Sequence, residues 1–325
     1  MWAYVPSSAM VVLSVGSLLL GALLAGYAMQ HLGSLRLSRL LSWGLLVAGT
    51  AAVASICHEE PPGVRMLALI AFALLAMKSI VLSEERAGGL ASLSFGRWLA
   101  FAAGWPGMQA RLFAGPREGP LPEARALVVR GVLRIVLGAA LLVLARLAWT
   151  SLHSRLLASI GLLSGLSFVL HFGLCNVAAG LWRFLGIPCE ALFRAPLLSR
   201  NLGEFWARRW NLAFSEMTAS AVYRPLKPSV GRGPALLAGF LVSGLLHEMA
   251  ISLPVRAGFG LPLLYFVLHG GLVLVEGALS RSGHALTGGL GRAWTVFWLV
   301  APLPLLFHEP FLAGVLWPIL GIPAR

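Results

Sequence analysis

Long apolar segments, separated by short polar stretches, follow one another along almost the whole chain. A transmembrane helix needs about 20 mostly apolar residues. By that criterion the sequence predicts eight spans, near residues 7–29, 40–57, 64–82, 127–150, 157–182, 233–252, 261–279 and 293–308. The first span is longer than the apolar core of a signal peptide and no basic residue precedes it, so we expect it to be a retained anchor.

Two further apolar segments are too short or too interrupted to cross a bilayer. Residues 95–113 contain Gly104 and Pro106, which break a helix, so we predict a half-helix that lies in or dips into the membrane. Residues 310–321 are also short, and we expect a re-entrant or interfacial piece there. The pattern predicts an all-α polytopic membrane protein, with about eight transmembrane helices plus re-entrant or interfacial ones, forming a single domain over residues 1–325.

Composition supports the same class of protein. Of 325 residues, 58% are hydrophobic and 11% are charged, whereas soluble domains carry about 25% charged residues. The three cysteines, Cys57, Cys175 and Cys189, have no CxxC spacing, which argues against a disulfide framework or a zinc site. The sequence contains no aspartate. That absence excludes Ser-His-Asp triads, EF-hand loops and the HxxxxD acyltransferase signature.

The chain is strongly basic, with a formal net charge of +13 carried almost entirely by arginine. Nucleic acid is not the expected partner, because these charges are scattered among apolar spans without any nucleic-acid motif. With the N-terminus outside, the loops assigned to the cytoplasm carry seventeen basic residues, Arg117 among them, against Arg65, Arg155 and Arg256 on the other side. This is the positive-inside pattern. The excess of arginine over lysine suggests a GC-rich bacterial genome, so we expect a multi-pass protein of a bacterial inner (plasma) membrane.

Residues 201–222 are the first stretch that could carry chemistry. The spacing predicts one helix with an apolar face and a polar face. The apolar face comprises Leu202, Trp206, Trp210, Ala213, Phe214 and Met217, and the polar face comprises Glu204, Arg208, Asn211 and Ser215. Asn201 and Glu204 resemble a capping box at its start. Such a helix either lies at the membrane interface or turns its polar face toward a cavity, and the pattern leaves both open.

His247 lies about 14 residues into the span 233–252, roughly 20 Å from its cytoplasmic end. Ionisable groups at this depth usually face a cavity or a partner, although a histidine in a packed bundle is often only hydrogen-bonded to a neighbouring helix. Glu248 points about 100° away around the helix, so we expect it to pair with another helix. Other intramembrane residues that could be its partner or line a cavity are His171, His269, Glu276 and Lys78. A His-Glu-x-x-His zinc site is excluded, because Ile251 stands where the second histidine would be.

Two stretches carry several uncommon residues at a defined separation. They are Glu204-Phe-Trp-Ala-Arg-Arg-Trp-Asn-Leu212, followed by Tyr223-Arg-Pro225, and Phe240-Leu-Val-Ser-Gly-Leu-Leu-His-Glu248. Together they resemble the membrane-bound O-acyltransferase (MBOAT) superfamily, and within it the wax synthase-like branch typified by plant long-chain-alcohol O-fatty-acyltransferases. Asn211 and His247 are 36 residues apart, as expected for the family's paired Asn and His. Ala207 stands where a glycine is expected. The specific match covers about 50 residues, and the rest agrees only in hydropathy.

The resemblance implies transfer of an acyl group from acyl-coenzyme A, a co-substrate, to the hydroxyl of a lipophilic alcohol, without a cofactor or a metal. The family's histidine corresponds to His247, which would act as the general base. Its asparagine corresponds to Asn211, which would stabilise the oxyanion or position the thioester. The implied substrate-binding residues are Trp206, Arg208, Arg209, Trp210, Tyr223, Ser243 and Glu248. The phosphates of coenzyme A would suit Arg200, Arg208, Arg209 and Arg224.

For both catalytic residues to serve one reaction, the stretch 201–222 must fold inward against the span 233–252. An internal tunnel must then lead from the cytoplasm to mid-membrane, and we expect the catalytic core at about residues 183–280. Membrane lipids would surround the protein. The acceptor alcohol, the acyl chain length and the oligomeric state stay open.

Two other classes of function fit the composition. In a lipid or ion transporter, His171, His247, Glu248 and His269 would line the path of the substrate. In a membrane scaffold protein, His247 would be a packing residue. The paired motifs favour the enzyme.

Overall fold

The computed structural model describes residues 2–115 and 119–323, so Arg117 lies outside the described residues. Within these ranges the regular structure is helical, without strands. In chain order the helices are α1 (Ala9–Met29), α2 (Leu35–Ile56), α3 (Pro62–Ala87), α4 (Phe95–Ala102), α5 (Ala124–Leu152), α6 (Arg155–Phe184), α7 (Leu202–Glu204), α8 (Leu212–Thr218), α9 (Arg224–Val230), α10 (Arg232–Val255), α11 (Leu261–Arg281), α12 (Gly288–Leu306) and α13 (Glu309–Leu320). Short π-helical segments interrupt or extend several of them, including Phe205–Arg209 after α7 and Ala219–Tyr223 after α8.

The prediction of an all-α polytopic membrane protein is confirmed. Among the described residues, eight helices, α1–α3, α5, α6 and α10–α12, are long and apolar enough to cross a membrane. They are the eight predicted spans, and their ends differ from the prediction by about five residues or fewer. Several helices run beyond the predicted apolar segments, and at α2 and α6 a capping serine outside the segment starts the helix. The Ser34 hydroxyl, for example, accepts from the Leu37 N–H at 3.3 Å and starts α2.

Helix α3 lies at the centre of the molecule. Two thirds (67%) of its most apolar window is buried inside the protein, against 11–28% for the other spans. Serines fasten α2 to it, since Ser38 Oγ and Ser42 Oγ lie 2.8 and 3.1 Å from Ser83 Oγ. The outer faces of α1, α5 and α6 instead expose many Leu and Val side chains, as expected for surfaces that contact lipid.

Helices α5 and α6 approach closely through glycines. A Cβ atom added to Gly138 would lie 2.8 Å from the Gly165 carbonyl oxygen, and one added to Gly161 would lie 2.8 Å from the Ala145 Cβ. The small residues at 161 and 165 therefore pack against α5, which is the usual role of such residues between membrane helices.

The predicted break within residues 95–113 is confirmed. Helix α4 ends at Ala102, and irregular backbone follows until a 3₁₀ turn begins at Ala110. The buried Lys78 ammonium of α3 donates to the carbonyl oxygen of Trp105 at 2.5 Å and to that of Gly107. Backbone groups that leave a helix within a membrane protein need such partners, so one buried lysine satisfies both carbonyl groups.

The short C-terminal helix α13 packs against the helix bundle. Its Phe311, Val315 and Trp317 side chains are buried. The Trp317 indole Nε1–H donates to the Ser159 hydroxyl of α6 at 2.9 Å. This contact fixes α13 beside α6, although α13 is too short to span a bilayer by itself.

Candidate active site

Residues 201–222 do not form the single helix that their periodicity predicts. The first part ends with the π-helical segment that closes at Arg209, Trp210 is extended, and Asn211 adopts a left-handed conformation with φ 44°. A new helix, α8, then begins at Leu212. Asparagine is one of the few residues that tolerates the left-handed region. The break redirects the second half, so the two predicted faces do not continue across it.

The start of α7 is fixed by three side chains. The Asn201 Oδ1 accepts from the Glu204 N–H at 2.7 Å, which confirms the predicted cap. Glu204 in turn accepts from the Arg200 N–H at 2.9 Å, one residue earlier than in a capping box. This hydrogen bond, followed by the nearby Arg209, lowers the pKa of the Glu204 carboxyl. From α11, the Glu276 carboxylate accepts from the first two N–H groups of α7 at 2.8 and 3.0 Å.

A cavity of about 290 Å³ lies between this broken stretch and the spans α10 and α11. The residues that line it include Trp206, Ala207, Trp210, Asn211, Phe214, Ser215 and Tyr223 from the broken stretch, and Leu236, Phe240, Ser243, His247 and Phe266 from the two spans. From Leu236 to His247 the cavity follows α10 for about 16 Å at 1.5 Å per residue. It therefore reaches from near the start of α10 to the middle of the span. The predicted inward folding of 201–222 against α10 is confirmed.

His247 is held in one tautomer by its own helix. Its Nδ1 lies 2.7 Å from the Ser243 carbonyl oxygen. Because a carbonyl can only accept, Nδ1 carries the hydrogen and Nε2 keeps its lone pair. Nε2 has no hydrogen bond to any of the described residues. Phe266 packs against the imidazole with ring centroids 4.2 Å apart, and Phe214 contacts it at 5.8 Å.

Asn211 reaches the same cavity because of the backbone break. Its carbonyl oxygen accepts from the Phe214 and Ser215 N–H groups and starts α8. Its side-chain amide makes no hydrogen bond to the described residues, which leaves both the carbonyl and the NH₂ group available. One turn further on, Phe214 touches the His247 ring. Two residues that are 36 positions apart thus line one cavity.

The other predicted substrate-binding residues divide into two groups. Trp206, Trp210, Tyr223 and Ser243 line the cavity, and Arg208, Arg209 and Glu248 do not. The Arg209 Nη2 lies 2.6 Å from the Glu204 Oε1, in an ion pair. The Glu248 Oε1 accepts from the N–H groups of Gly260 and Leu263 at 2.8 and 3.0 Å, at the start of α11. Glu248 thus pairs with another helix, as predicted from its direction. Arg208 is exposed.

The remaining intramembrane candidates lie outside the cavity lining. His171 packs between Phe193 and Trp210, with ring centroids 4.7 and 5.5 Å away. His269 is fully buried, and its Nδ1–H donates to the Tyr265 carbonyl at 2.8 Å. Glu276 and Lys78 hold backbone groups, as described above. Within the described ranges, no group of three or more His, Cys, Asp or Glu residues could hold a metal ion.

Trp206 was predicted from the sequence, but Phe266, which completes the aromatic wall of the cavity, was not. Trp206 packs against Phe240 and Phe266, with ring centroids 6.0 and 5.4 Å apart, and Phe266 also contacts His247. An apolar span contains many aromatic residues, and nothing in its periodicity separates those that face a cavity from those that face lipid. Only the contact with His247 identifies Phe266.

The family comparison matches the part of the chain that forms the cavity. Residues 189–268 match the model of the membrane bound O-acyl transferase family. The probable long-chain-alcohol O-fatty-acyltransferase 2 of Arabidopsis thaliana is 35% identical over 136 residues, which are 38% of this chain and 40% of that protein. The long-chain-alcohol O-fatty-acyltransferase of Simmondsia chinensis is 33% identical over 107 residues, 30% of each chain. The putative long-chain-alcohol O-fatty-acyltransferase 10 of A. thaliana is 34% identical over 152 residues, 44% of this chain and 45% of that protein.

These matches confirm the resemblance to the wax synthase-like branch of the MBOAT superfamily. The matched stretches span less than half the length of these relatives. The protein is an integral multi-pass membrane protein. The relatives are plant proteins and do not support a bacterial inner membrane, which stays a prediction from composition. The single-domain organisation with a catalytic core at 183–280 also stays a prediction.

Proposed function

We propose that the protein is a membrane O-acyltransferase that moves an acyl group from acyl-coenzyme A to the hydroxyl of a lipophilic alcohol. One observation carries the proposal. Asn211 and His247, on separate elements, line one cavity with a free amide and a free imidazole nitrogen. The printed names of the relatives, long-chain-alcohol O-fatty-acyltransferases, support the same class of reaction.

His247 acts as the general base in the proposed reaction. Its Nε2 lone pair accepts the proton of the acceptor alcohol, and the alcohol oxygen attacks the thioester carbonyl carbon. The hydrogen bond from Nδ1–H to the Ser243 carbonyl keeps the ring oriented and stabilises the imidazolium that forms. General-base assistance of this kind contributes typically about 10²–10⁴-fold in rate.

Asn211 donates a hydrogen bond from its side-chain NH₂ to the oxyanion of the tetrahedral intermediate. Loss of one such donor costs about 10²–10³ in rate. The intermediate then collapses, the carbon–sulfur bond breaks, and the His247 imidazolium returns the proton to the coenzyme A thiolate. The products are an ester and free coenzyme A, and the enzyme returns to its initial state.

Exposed arginines at the cytoplasmic end of the cavity would bind the coenzyme A phosphates. Arg208 follows the cavity residue Ala207, and Arg224 follows the cavity residue Tyr223. Both are exposed and make no ion pair with the described residues, so both guanidinium groups are available for phosphate. Arg209 is a weaker candidate, because its ion pair with Glu204 would have to open.

The transporter alternative receives no support from the placement of its residues. Of His171, His247, Glu248 and His269, only His247 lines the cavity. A proton or ion path needs a chain of ionisable or polar groups, and the other three are committed to packing or to the start of α11.

The experiment is an ester-synthesis assay in lipid nanodiscs, with labelled acyl-coenzyme A and a panel of long-chain alcohols, sterols and glycerolipids. We expect product from the wild type, and a loss of about 10²-fold or more in His247→Ala and in Asn211→Ala. Thr218→Ala is the matched control, because Thr218 also lines the cavity but its hydroxyl bonds to the carbonyls of its own helix at 2.9 and 3.3 Å. It should retain near wild-type activity.

Two results would contradict the proposal. Full ester synthesis by folded His247→Ala protein would remove the general base from the mechanism. Absence of product from the wild type over the whole panel, together with substrate movement in liposomes without acyl-coenzyme A, would favour transport.

A further inference from the structure

A second cavity, of about 230 Å³, lies at the opposite end of the spans from the candidate active site. It is formed where α2 ends, α3 begins and α10 ends. Its lining comprises the apolar residues Ala54, Leu69 and Leu253, together with Ser55, His58, Arg65 and Arg256. By the charge asymmetry of the loops, this end of the bundle faces away from the cytoplasm.

The two arginines of this cavity converge on one neutral atom. Arg65 Nη1 donates to the His58 carbonyl oxygen at 3.5 Å, and Arg256 Nη2 donates to the same oxygen. Among the described residues neither guanidinium forms an ion pair, and the Arg65 Nε–H is buried without a partner. The two carboxylates of the same loop have other partners: Glu59 is paired with the His58 ring at 2.5 Å, and Glu60 accepts from the Ser7 N–H at 2.8 Å.

This arrangement is unusual for membrane arginines. Arg65 and Arg256 are two of only three basic residues that the topology assigns to the outer side, and both point into the same cavity. Two like charges near one carbonyl group repel each other. Arg256 also ends α10 in the left-handed region, with φ 54°, which a residue with a side chain rarely adopts. An anion between the two guanidinium groups would relieve the repulsion and use the unpartnered donor.

We propose that this cavity binds the phosphate group of an anionic phospholipid from the outer leaflet. Guanidinium groups match the geometry of phosphate oxygens and bind them with paired hydrogen bonds. The apolar part of the lining, Ala54, Leu69 and Leu253, suits hydrocarbon next to the phosphate. The ends of three spans are also where phospholipid headgroups lie. Basic pockets between membrane helices bind anionic headgroups on the cytoplasmic side, and the same chemistry would apply at this end. The site is separate from the proposed reaction.

The test measures lipid affinity of the purified full-length protein in a neutral detergent. Phosphatidylglycerol, phosphatidylcholine and inorganic phosphate are titrated separately, and bound lipid and the thermal unfolding midpoint are recorded. The wild type should bind phosphatidylglycerol more tightly than phosphatidylcholine. Arg256→Gln and Arg65→Gln should each weaken phosphatidylglycerol binding by about tenfold or more, as expected for the loss of hydrogen bonds between charged groups. Arg256→Lys, which keeps the charge but not the paired donors, should fall between them and the wild type.

The matched control is Arg155→Gln. Arg155 is the third outer basic residue, it lies outside this cavity, and it stacks on Trp317 at 4.7 Å. Its substitution should leave phosphatidylglycerol affinity unchanged.

Equal phosphatidylglycerol affinity in the wild type and in folded Arg256→Gln and Arg256→Lys proteins would overturn the proposal. A loss of affinity in Arg155→Gln as large as in Arg256→Gln would also overturn it, because it would indicate general charge attraction. An effect of inorganic phosphate that needs both arginines, without an effect of lipid, would assign the site to a soluble anion and overturn the lipid assignment.

Discussion

The Glu276 carboxylate of α11 forms hydrogen bonds to the start of α7 and to α12, and its removal should destabilise the wall of the cavity. Its Oε1 accepts from the Leu202 N–H at 2.8 Å and from the Trp294 Nε1–H at 3.0 Å, and its Oε2 accepts from the Gly203 N–H at 3.0 Å. Hydrogen bonds to a charged group each contribute about 1.5–3 kcal/mol. Glu276 is only partly buried, so water replaces some of the loss. We expect Glu276→Ala to lower the free energy of unfolding by about 3–5 kcal/mol.

Two milder substitutions should form a graded series with it. In Glu276→Gln one oxygen remains, able to serve the two donors of Oε1, but the NH₂ group opposes the Gly203 N–H, so we expect a loss of about 1–2 kcal/mol. Trp294→Phe removes one donor and keeps most of the ring, at a cost of about 1 kcal/mol. The measurement is reversible unfolding in mixed micelles, followed by tryptophan fluorescence and, for Trp294→Phe, by circular dichroism as well. Glu276→Ala with wild-type stability, or Glu276→Gln as damaging as Glu276→Ala, would contradict this role of Glu276.

Three further predictions concern other parts of the molecule. Lys78→Met should destabilise the protein by about 2 kcal/mol or more, because two buried carbonyl groups lose their donor; normal unfolding in micelles would contradict this role. Gly138→Ala should lower the free energy of unfolding by about 1–3 kcal/mol, since the added Cβ would lie 2.8 Å from the Gly165 oxygen. Gly21→Ala, whose added Cβ would have no atom within 4 Å, should leave stability unchanged. Equal unfolding midpoints for the two variants would contradict the close packing of α5 on α6. In the folded protein the pKa of Glu204 lies below its usual value of 4.5. The ionised carboxylate therefore contributes its full stabilisation above pH 4.5, and this stabilisation is lost as the pH falls through the lower pKa of the folded state. Glu204→Gln should accordingly be less stable than the wild type at pH 7, the difference should shrink in acid, and a difference that does not change with pH would contradict this role of Glu204.

The spans, and the meeting of Asn211 and His247 at one cavity, could be predicted from the sequence because their signals are strong and local. Twenty apolar residues in a row define a membrane helix whatever its neighbours are. Asn211 and His247 belong to stretches with several uncommon residues at a fixed separation. The cap at Asn201 depends on residues only three positions apart. Each of these features needs little knowledge of tertiary structure.

The break at Trp210 and Asn211 could not be predicted, because the apolar spacing continues through it. Leu202, Trp206, Trp210 and Ala213 fit one helical face, yet the backbone leaves the helix at Trp210. Tertiary contacts decide the outcome. Trp210 packs against Phe205 and His171, and asparagine at position 211 makes the left-handed turn tolerable. Roles fixed by distant partners, such as that of Glu276, were likewise invisible to periodicity.

Two π-helical segments form part of the cavity wall and a third adjoins it, and this arrangement explains how adjacent residues acquire separate tasks. The π-helical segments Phe205–Arg209 and Ala219–Tyr223 both contribute lining residues, and a third, Glu248–Ser252, begins directly after His247. The hydrogen bonds of such segments span one more residue than those of an α-helix, and the segments are frequent at functional sites.

At the junction of α10 with its π-helical segment, the imidazole of His247 faces the cavity, while the carboxylate of the next residue, Glu248, turns to the start of α11. That carboxylate holds the end of the helix that supplies Phe266, the ring packed on His247. The two adjacent residues therefore have different roles: His247 faces the cavity, and Glu248 fixes the start of the helix whose Phe266 packs on the His247 ring.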